Sequence, residues 1–192
     1  MQPTKNRMTF EEYLNYADET DNRYELVDGE LIEMPPENPN NCLFARFLFL
    51  QFLQVFPLSW VCMKDTEIEV TGRRAKTRYP DLMVLGEELA MALQGASRST
   101  ITRDMPPPLL VVEIVSPGKT NEDRDYRYKR SEYAARGIAE YWIVNPERQD
   151  VMILKWVDGL YEETVYTGSQ AIESEMMREI TLTPNQILTA SK

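Results

Sequence analysis

Three side chains in this sequence could together run metal-dependent hydrolysis, and each stands where a charge needs a reason. Glu113 lies inside the run LLVVEIV of residues 109–115, with apolar neighbours on both sides. An ionised carboxylate in such a place costs on the order of several kcal/mol unless it is paired, hydrogen-bonded or metal-bound. Asp81 repeats the anomaly, directly before Leu82-Met83-Val84-Leu85. Taken singly, Pro80-Asp81 is an ordinary turn starter and Glu113 an ion pair at a strand end. Two acids in two separate strands read differently. If the strands pair, both carboxylates reach one ion. Asp, Glu and carbonyl oxygens suit Mg²⁺ or Mn²⁺, and the carbonyl of Ile114 can supply a further ligand. A hard ion there would polarise a phosphoryl oxygen and acidify water. Lys129 completes the set, with Asp125, Lys129 and Tyr133 spaced i, i+4 and i+8 along one helix face. By spacing alone this is an Asp–Lys pair on a solvated helix, worth about 0.3 kcal/mol. Following the Glu113 strand by a short loop, however, the same face could turn its lysine onto water or phosphate.

The elements that must position these groups follow from the pattern. Thr9 and Glu12 form a capping box opening a helix over about 9–19. RYELVDGELIEM predicts a hairpin turning at Asp28-Gly29. Asn40 or Asn41 can cap an apolar, buried helix over about 42–56. TEIEVTG alternates as a half-buried strand, YPDLMVLG gives a second strand, and LLVVEIVSP a central strand covered on both faces. A short helix falls within 86–108. NEDRDYRYKRSEYAARG predicts a helix closed by Gly137, and EYWIVNP a strand stopped by Pro146. VMILKWVDGLYEETVY predicts a second hairpin at Asp158-Gly159, and a last helix follows Pro184. The order from residue 42 is α-β-β-β-α-β, a mixed α/β sheet flanked by helices with hairpins added at both ends. At 192 residues, one domain spanning 1–192 is expected, with its core over about 41–146.

Composition removes whole classes of chemistry. There is no histidine, which excludes Ser-His-Asp hydrolases, HExxH metalloproteases and histidine-dependent nucleases. Two isolated cysteines, Cys42 and Cys62, imply neither a disulfide framework nor a Cys/His zinc site. No apolar leader opens the chain, and LFARFLFLQFLQVF is shorter than the roughly 20 residues a membrane span needs. A reducing cytoplasm is the expected setting. The net charge of −10 opposes nucleic-acid binding in bulk. Two local basic stretches, Arg73-Arg74-Lys76-Arg78 and Arg124-Arg127-Lys129-Arg130, could still hold a phosphate, although solvated surface explains most such clusters.

Together, YPDLMVL, LLVVEIVSP, DYRYKRSEYAARGIAEYWIVNP and the opening RYELVDGELIEMPP resemble the Uma-two family of restriction-endonuclease-type proteins, over roughly residues 8–150. The resemblance implies the restriction-endonuclease-like core of the PD-(D/E)XK nucleases and metal-dependent phosphodiester chemistry. In the general motif a lysine lies two residues after the second acid, where this chain has Val115. The resemblance implies that this role passes to Lys129 and that Glu25 is an accessory acid, against the alternative of a charge on an exposed hairpin. Two positions depart from the family pattern. Asn40-Asn41-Cys42 stands where a histidine is frequent, and an asparagine cannot act as a base near neutral pH. Asn145 stands where an aspartate is common.

The leading expectation is a Mg²⁺- or Mn²⁺-dependent endonuclease using Asp81, Glu113 and Lys129, with DNA ahead of RNA as substrate. A catalytically inactive module of the same fold, binding nucleic acid or a protein partner, is the alternative. In a third reading the strand acids are simply ion-paired, with Arg78 and Arg130 as first partners. A homodimer is also expected, should Trp156, Tyr161 and Tyr166 form a contact surface instead of core.

Overall fold

A computed structural model describes residues 7–16, 22–72 and 76–190; Arg73, Arg74 and the end of the expected first helix lie outside these. The Thr9–Glu12 capping box forms and opens α1 (Phe10–Leu14). β1 (Tyr24–Val27) and β2 (Glu30–Glu33) pair as the expected hairpin. Asp28 and Gly29 both take positive φ, 50° and 84°, as a type I′ turn requires. Helix α2 (Pro39–Phe52) begins and ends three to four residues earlier than expected and is capped by Asn38, whose side chain accepts the Asn40 N–H. Proline at the first helical position needs no donor there, which moves the cap two residues ahead of Asn40.

Then follow β3 (Val61–Cys62), β4 (Glu67–Glu69), β5 (Thr77–Arg78), β6 (Leu82–Val84), α3 (Glu87–Leu93), β7 (Thr100–Ile101) and β8 (Leu110–Ile114). Past β8, α4 (Lys119–Asp123) runs through a π-helical turn at Arg124–Lys129 into α5 (Arg130–Arg136), closed by Gly137 in the left-handed region. The chain ends in β9 (Glu140–Asn145), β10 (Asp150–Val157), β11 (Leu160–Thr167) and α6 (Pro184–Leu188).

The main sheet has the order β11-β10-β9-β8-β6-β3. Only β8 and β9 run parallel within it. The TEIEV strand does not join this sheet. It forms a separate three-stranded sheet, β5-β4-β7, and the two-residue β3 is the strand that pairs with the outer side of β6. Alternation shows that a segment is a strand, not which sheet it enters. Glu67 of β4 is fully buried, accepting from Tyr13 Oη at 2.6 Å and Thr100 Oγ1 at 2.6 Å and pairing with Arg98 at 2.7 Å.

Alternate residues of the central strands feed two apolar layers. Val112, Ile114, Trp142 and Val144 pack against α2 and α6. Val111, Val115, Tyr141 and Ile143 pack on the opposite face, with Tyr133 of α5. The C-terminal hairpin extends the main sheet. Tyr161 and Tyr166 are therefore core, and of the three aromatic residues considered for a contact surface only Trp156 stays substantially exposed. Among the described residues no helix is long and apolar enough to cross a membrane.

Glu140 ties the tail to this sheet. It accepts from Trp142 Nε1 at 3.0 Å, Ser174 Oγ at 2.7 Å and the Glu175 N–H at 2.7 Å. Glu140→Ala leaves these donors without their acceptor, and a loss of about 3 kcal/mol is expected. The urea midpoint should fall with an unchanged slope, and an unmoved midpoint would refute the anchor.

Candidate active site

The pairing of β6 with β8 builds the site. Leu82 lies opposite Val112 and Val84 opposite Leu110, so the same register sets Asp81 against Glu113. Asp81 accepts the Ile114 N–H through Oδ2 at 2.6 Å. The carboxylate thus serves as a ladder acceptor where β6 begins, and strand pairing fixes its position. Both acids fall on the face that helix 119–136 covers.

Four ionisable groups are buried there together: Asp81, Glu113, Asp125 and Lys129 are 7%, 3%, 1% and 3% exposed. Lys129 Nζ lies 2.7 Å from Glu113 Oε2 and 3.2 Å from Asp125 Oδ1. Tyr133 donates to Glu113 Oε1 at 2.6 Å. The i, i+4, i+8 face is therefore inward and buried, not a solvated pair. Inside the π turn, Tyr141 donates to the Asp125 carbonyl at 3.0 Å. Widened turns of this kind leave main-chain groups in need of other partners.

Asp81 has a lysine of its own. Lys64 Nζ bridges Asp81 Oδ1 at 2.8 Å and Glu37 Oε2 at 3.0 Å. Sequence reasoning missed Lys64, which sits in the loop between two short strands and carries no periodic signal. Asn41, read from the sequence as a cap and as part of the stretch standing where a histidine is frequent, is buried at the start of α2. Its amide lies 3.4 Å from the Ile114 carbonyl and 3.3 Å from Ser116 Oγ. A polar residue on the buried face of an apolar helix was the available sign.

Glu25 lines the same cavity, but its carboxylate is engaged. It pairs with Arg78 Nη1 at 2.9 Å and accepts the Tyr79 N–H at 3.2 Å. The exposed-hairpin alternative fails. Arg78 also grips Glu132 at 2.8 Å, while Arg130 pairs with Glu163. Neither arginine meets Asp81 or Glu113, so the strand acids are ion-paired, but to Lys64 and Lys129. Asn145 belongs to a turn, accepting from the Glu147 and Arg148 N–H groups at 3.0 Å each. Val115 stays in the core.

Charge in the cluster does not balance. Asp81, Glu113, Asp125 and Glu37 face Lys64, Lys129 and the half-exposed Arg124, and Asp125 Oδ2 is buried without a hydrogen-bond partner among the described residues. Burial pushes the Glu113 carboxyl up to about 8; Lys129 opposes this, and the negative charges of Asp81 and Asp125 add to it. Asp81 is raised by burial against the pull of Lys64. For Lys129, burial disfavours the charge, but Asp125 and Glu113 overcome it and hold the ammonium above its usual range.

A cavity of about 420 Å³ opens over this cluster. Glu25, Glu33 and Glu37 line it from the N-terminal hairpin and the loop after it. Ser116, Asn121 and Arg124 line it from the start of the long helix, beside Asp81, Glu113, Ile114 and Lys129. Among the described residues no three acidic or cysteine side chains are grouped so that they alone could hold a metal ion. The protein would offer two carboxylates and the Ile114 carbonyl, leaving the other positions to water or substrate, as Mg²⁺ favours. An all-oxygen donor set and a surplus of negative charge fit a divalent cation.

Comparisons with known proteins bear on the family and the fold. A family model described as "Uma2: Putative restriction endonuclease" matches residues 10–185. A solved structure from Anabaena variabilis, titled a "putative nuclease belonging to DUF820", matches with a TM-score of 0.70 at 15% identity. The match covers 95% of this chain and 98% of that one, and at that identity it shows the fold. No curated protein matches the chain.

Proposed function

The chain belongs to the Uma2 family, and on that premise we propose that it is a metal-dependent nuclease hydrolysing phosphodiester bonds, with DNA ahead of RNA as substrate. The observation that carries this is the buried Glu113–Lys129 contact of 2.7 Å on the strand paired with Asp81. Asp81, Glu113 and the Ile114 carbonyl would hold Mg²⁺ or Mn²⁺. Such an ion supplies Lewis-acid polarisation of the phosphoryl oxygen and lowers the pKa of water. Lys129 stays protonated and directs its charge at the phosphate oxygens as negative charge builds there. Tyr133 and Asp125 fix Glu113 and Lys129 in place, and Lys64 does the same for Asp81. Glu25, held by Arg78, is the accessory acid on the cavity wall. Self-association would rest on the exposed end of the C-terminal hairpin, Trp156, Val157 and Leu160.

Incubation of the protein with supercoiled plasmid and Mn²⁺ or Mg²⁺ is expected to give nicked and linear products, and chelation to stop the reaction. An intact plasmid across both metals and a range of salt and pH would overturn the proposal.

One observation favours the second reading, a non-catalytic module of the same fold. All four carboxylate oxygens of Asp81 and Glu113 are already engaged, two by the Lys64 and Lys129 ammonium groups and two by the Ile114 N–H and the Tyr133 hydroxyl. Metal linkage separates the two, since an ion that binds only the folded state raises the melting temperature. A module without a metal site shows no Mn²⁺-dependent shift.

A further inference from the structure

Arg124 is the cation of the cavity that the chemistry above leaves unused. It opens the π-helical turn and Lys129 closes it. On an ordinary α-helix, residues five apart point roughly 140° away from each other. Bonding from i to i+5 returns them to nearly the same side. Both side chains accordingly line the cavity, together with Ser116 and Asn121.

The two cations are engaged very differently. Lys129 is enclosed by Glu113 and Asp125. The Arg124 side chain is 39% exposed, and only its Nε approaches an acid, Asp125 Oδ1 at 3.4 Å. Its two terminal nitrogens make no hydrogen bond among the described residues. A planar fork of free donors thus stands over a cavity whose other wall is acidic. That fork matches two oxygens of one phosphate. Burial works against its charge, but Asp125, Glu113 and Glu25 hold the proton on. The next arginine along, Arg127, is 68% exposed, lies 3.7 Å from Asp123 and does not line the cavity.

Resting on the nuclease reading for the class of substrate, we propose that Arg124 is the phosphate-gripping residue of this cavity. Its terminal nitrogens bind the non-bridging oxygens of a nucleic-acid phosphate, and the π turn is what aligns it with Lys129. Glu25, Glu33 and Glu37 repel a phosphate, so affinity at this site depends strongly on the Arg124 guanidinium.

The test uses the full chain, a short fluorescein-labelled DNA duplex and anisotropy across a salt series. A Mn²⁺ thermal shift is measured separately on each variant. Arg124→Ala is expected to keep the Mn²⁺ shift, weaken DNA binding about tenfold and lower the salt slope by about one. Arg124→Lys should recover part of the affinity, and Arg127→Ala should bind as the wild type does. Arg124→Gln, which keeps much of the stem without the charge, serves where the alanine variant does not fold. Equal affinity and salt slope for wild type and Arg124→Ala, an equal loss in Arg127→Ala, or no affinity in the wild type would each overturn the proposal. Arg124-dependent binding without any wild-type Mn²⁺ shift would support the phosphate site and sink the metal-dependent nuclease reading.

Discussion

Glu113→Gln should abolish metal-dependent cleavage while making the metal-free protein more stable at pH 8. The two effects share one cause. Glu113 shares Lys129 with Asp125, and burial together with the negative charges of Asp81 and Asp125 makes its own negative charge costly. The amide removes that charge and keeps the shape. Its oxygen can accept from Lys129, and its nitrogen can donate to the Tyr133 hydroxyl, which both donates and accepts. The sign follows from proton counting. Glu113 has a folded pKa of about 8 against an ordinary 4.5. Between those values the folded state keeps a proton that the unfolded state has lost, so wild-type stability falls as pH rises through this window. Glu113→Gln lacks that fall, and above the window it should exceed the wild type by on the order of a few kcal/mol. Cleavage should drop by about a thousandfold, the rate equivalent of several kcal/mol of lost Lewis-acid stabilisation. Melting curves at pH 5 and pH 8, without and with Mn²⁺, check both halves. A variant that is less stable than the wild type at pH 8, or that still shifts with Mn²⁺, would show that Glu113 is a structural acid.

Lys129→Met should move stability the other way. Methionine fits the stem but leaves Glu113 and Asp125 buried without the ammonium that touches both. Removing one partner of a buried ion pair costs about 3–5 kcal/mol. The loss should hold nearly level from pH 5 to pH 7, where Glu113 keeps its proton with or without the lysine, and grow from about pH 8 upward as the wild type ionises beside its ammonium. Cleavage should vanish as well, so the informative measurement is stability against pH. A Lys129→Met protein as stable as wild type at pH 8 would mean that the lysine is not what neutralises the cluster.

Much of the site was legible because buried charge announces itself. Glu113 within LLVVEIV and Asp81 before LMVL are costly positions, and the paired strands bring them together. The DG dipeptides fixed both hairpin turns, and Asp125, Lys129 and Tyr133 share the face their spacing predicts. Other parts leave no local trace. Lys64 is distant in sequence from the acid it meets and occupies a loop, where no period marks it. Whether TEIEV joins the main sheet depends on neighbours, not on its own alternation. Asn38, Asn40 and Asn41 are all adequate caps, and Pro39 decides among them. The π turn carries no residue signature, so nothing in the basic stretch Arg124-Arg127-Lys129-Arg130, read as solvated surface or as a phosphate holder, singled out Arg124.

The strand-borne acids have a consequence for how such a molecule comes into being. Asp81 and Glu113 face each other in one alignment of β6 and β8, with the Ile114 N–H held by Asp81 as an extra rung. Slipping one strand by a single residue would send its acid to the other side of the sheet. A nascent or misassembled chain therefore holds every residue of the cutting centre without possessing the centre itself. For a protein proposed to break nucleic acid, that is a safeguard: toxicity is withheld until the native sheet has closed.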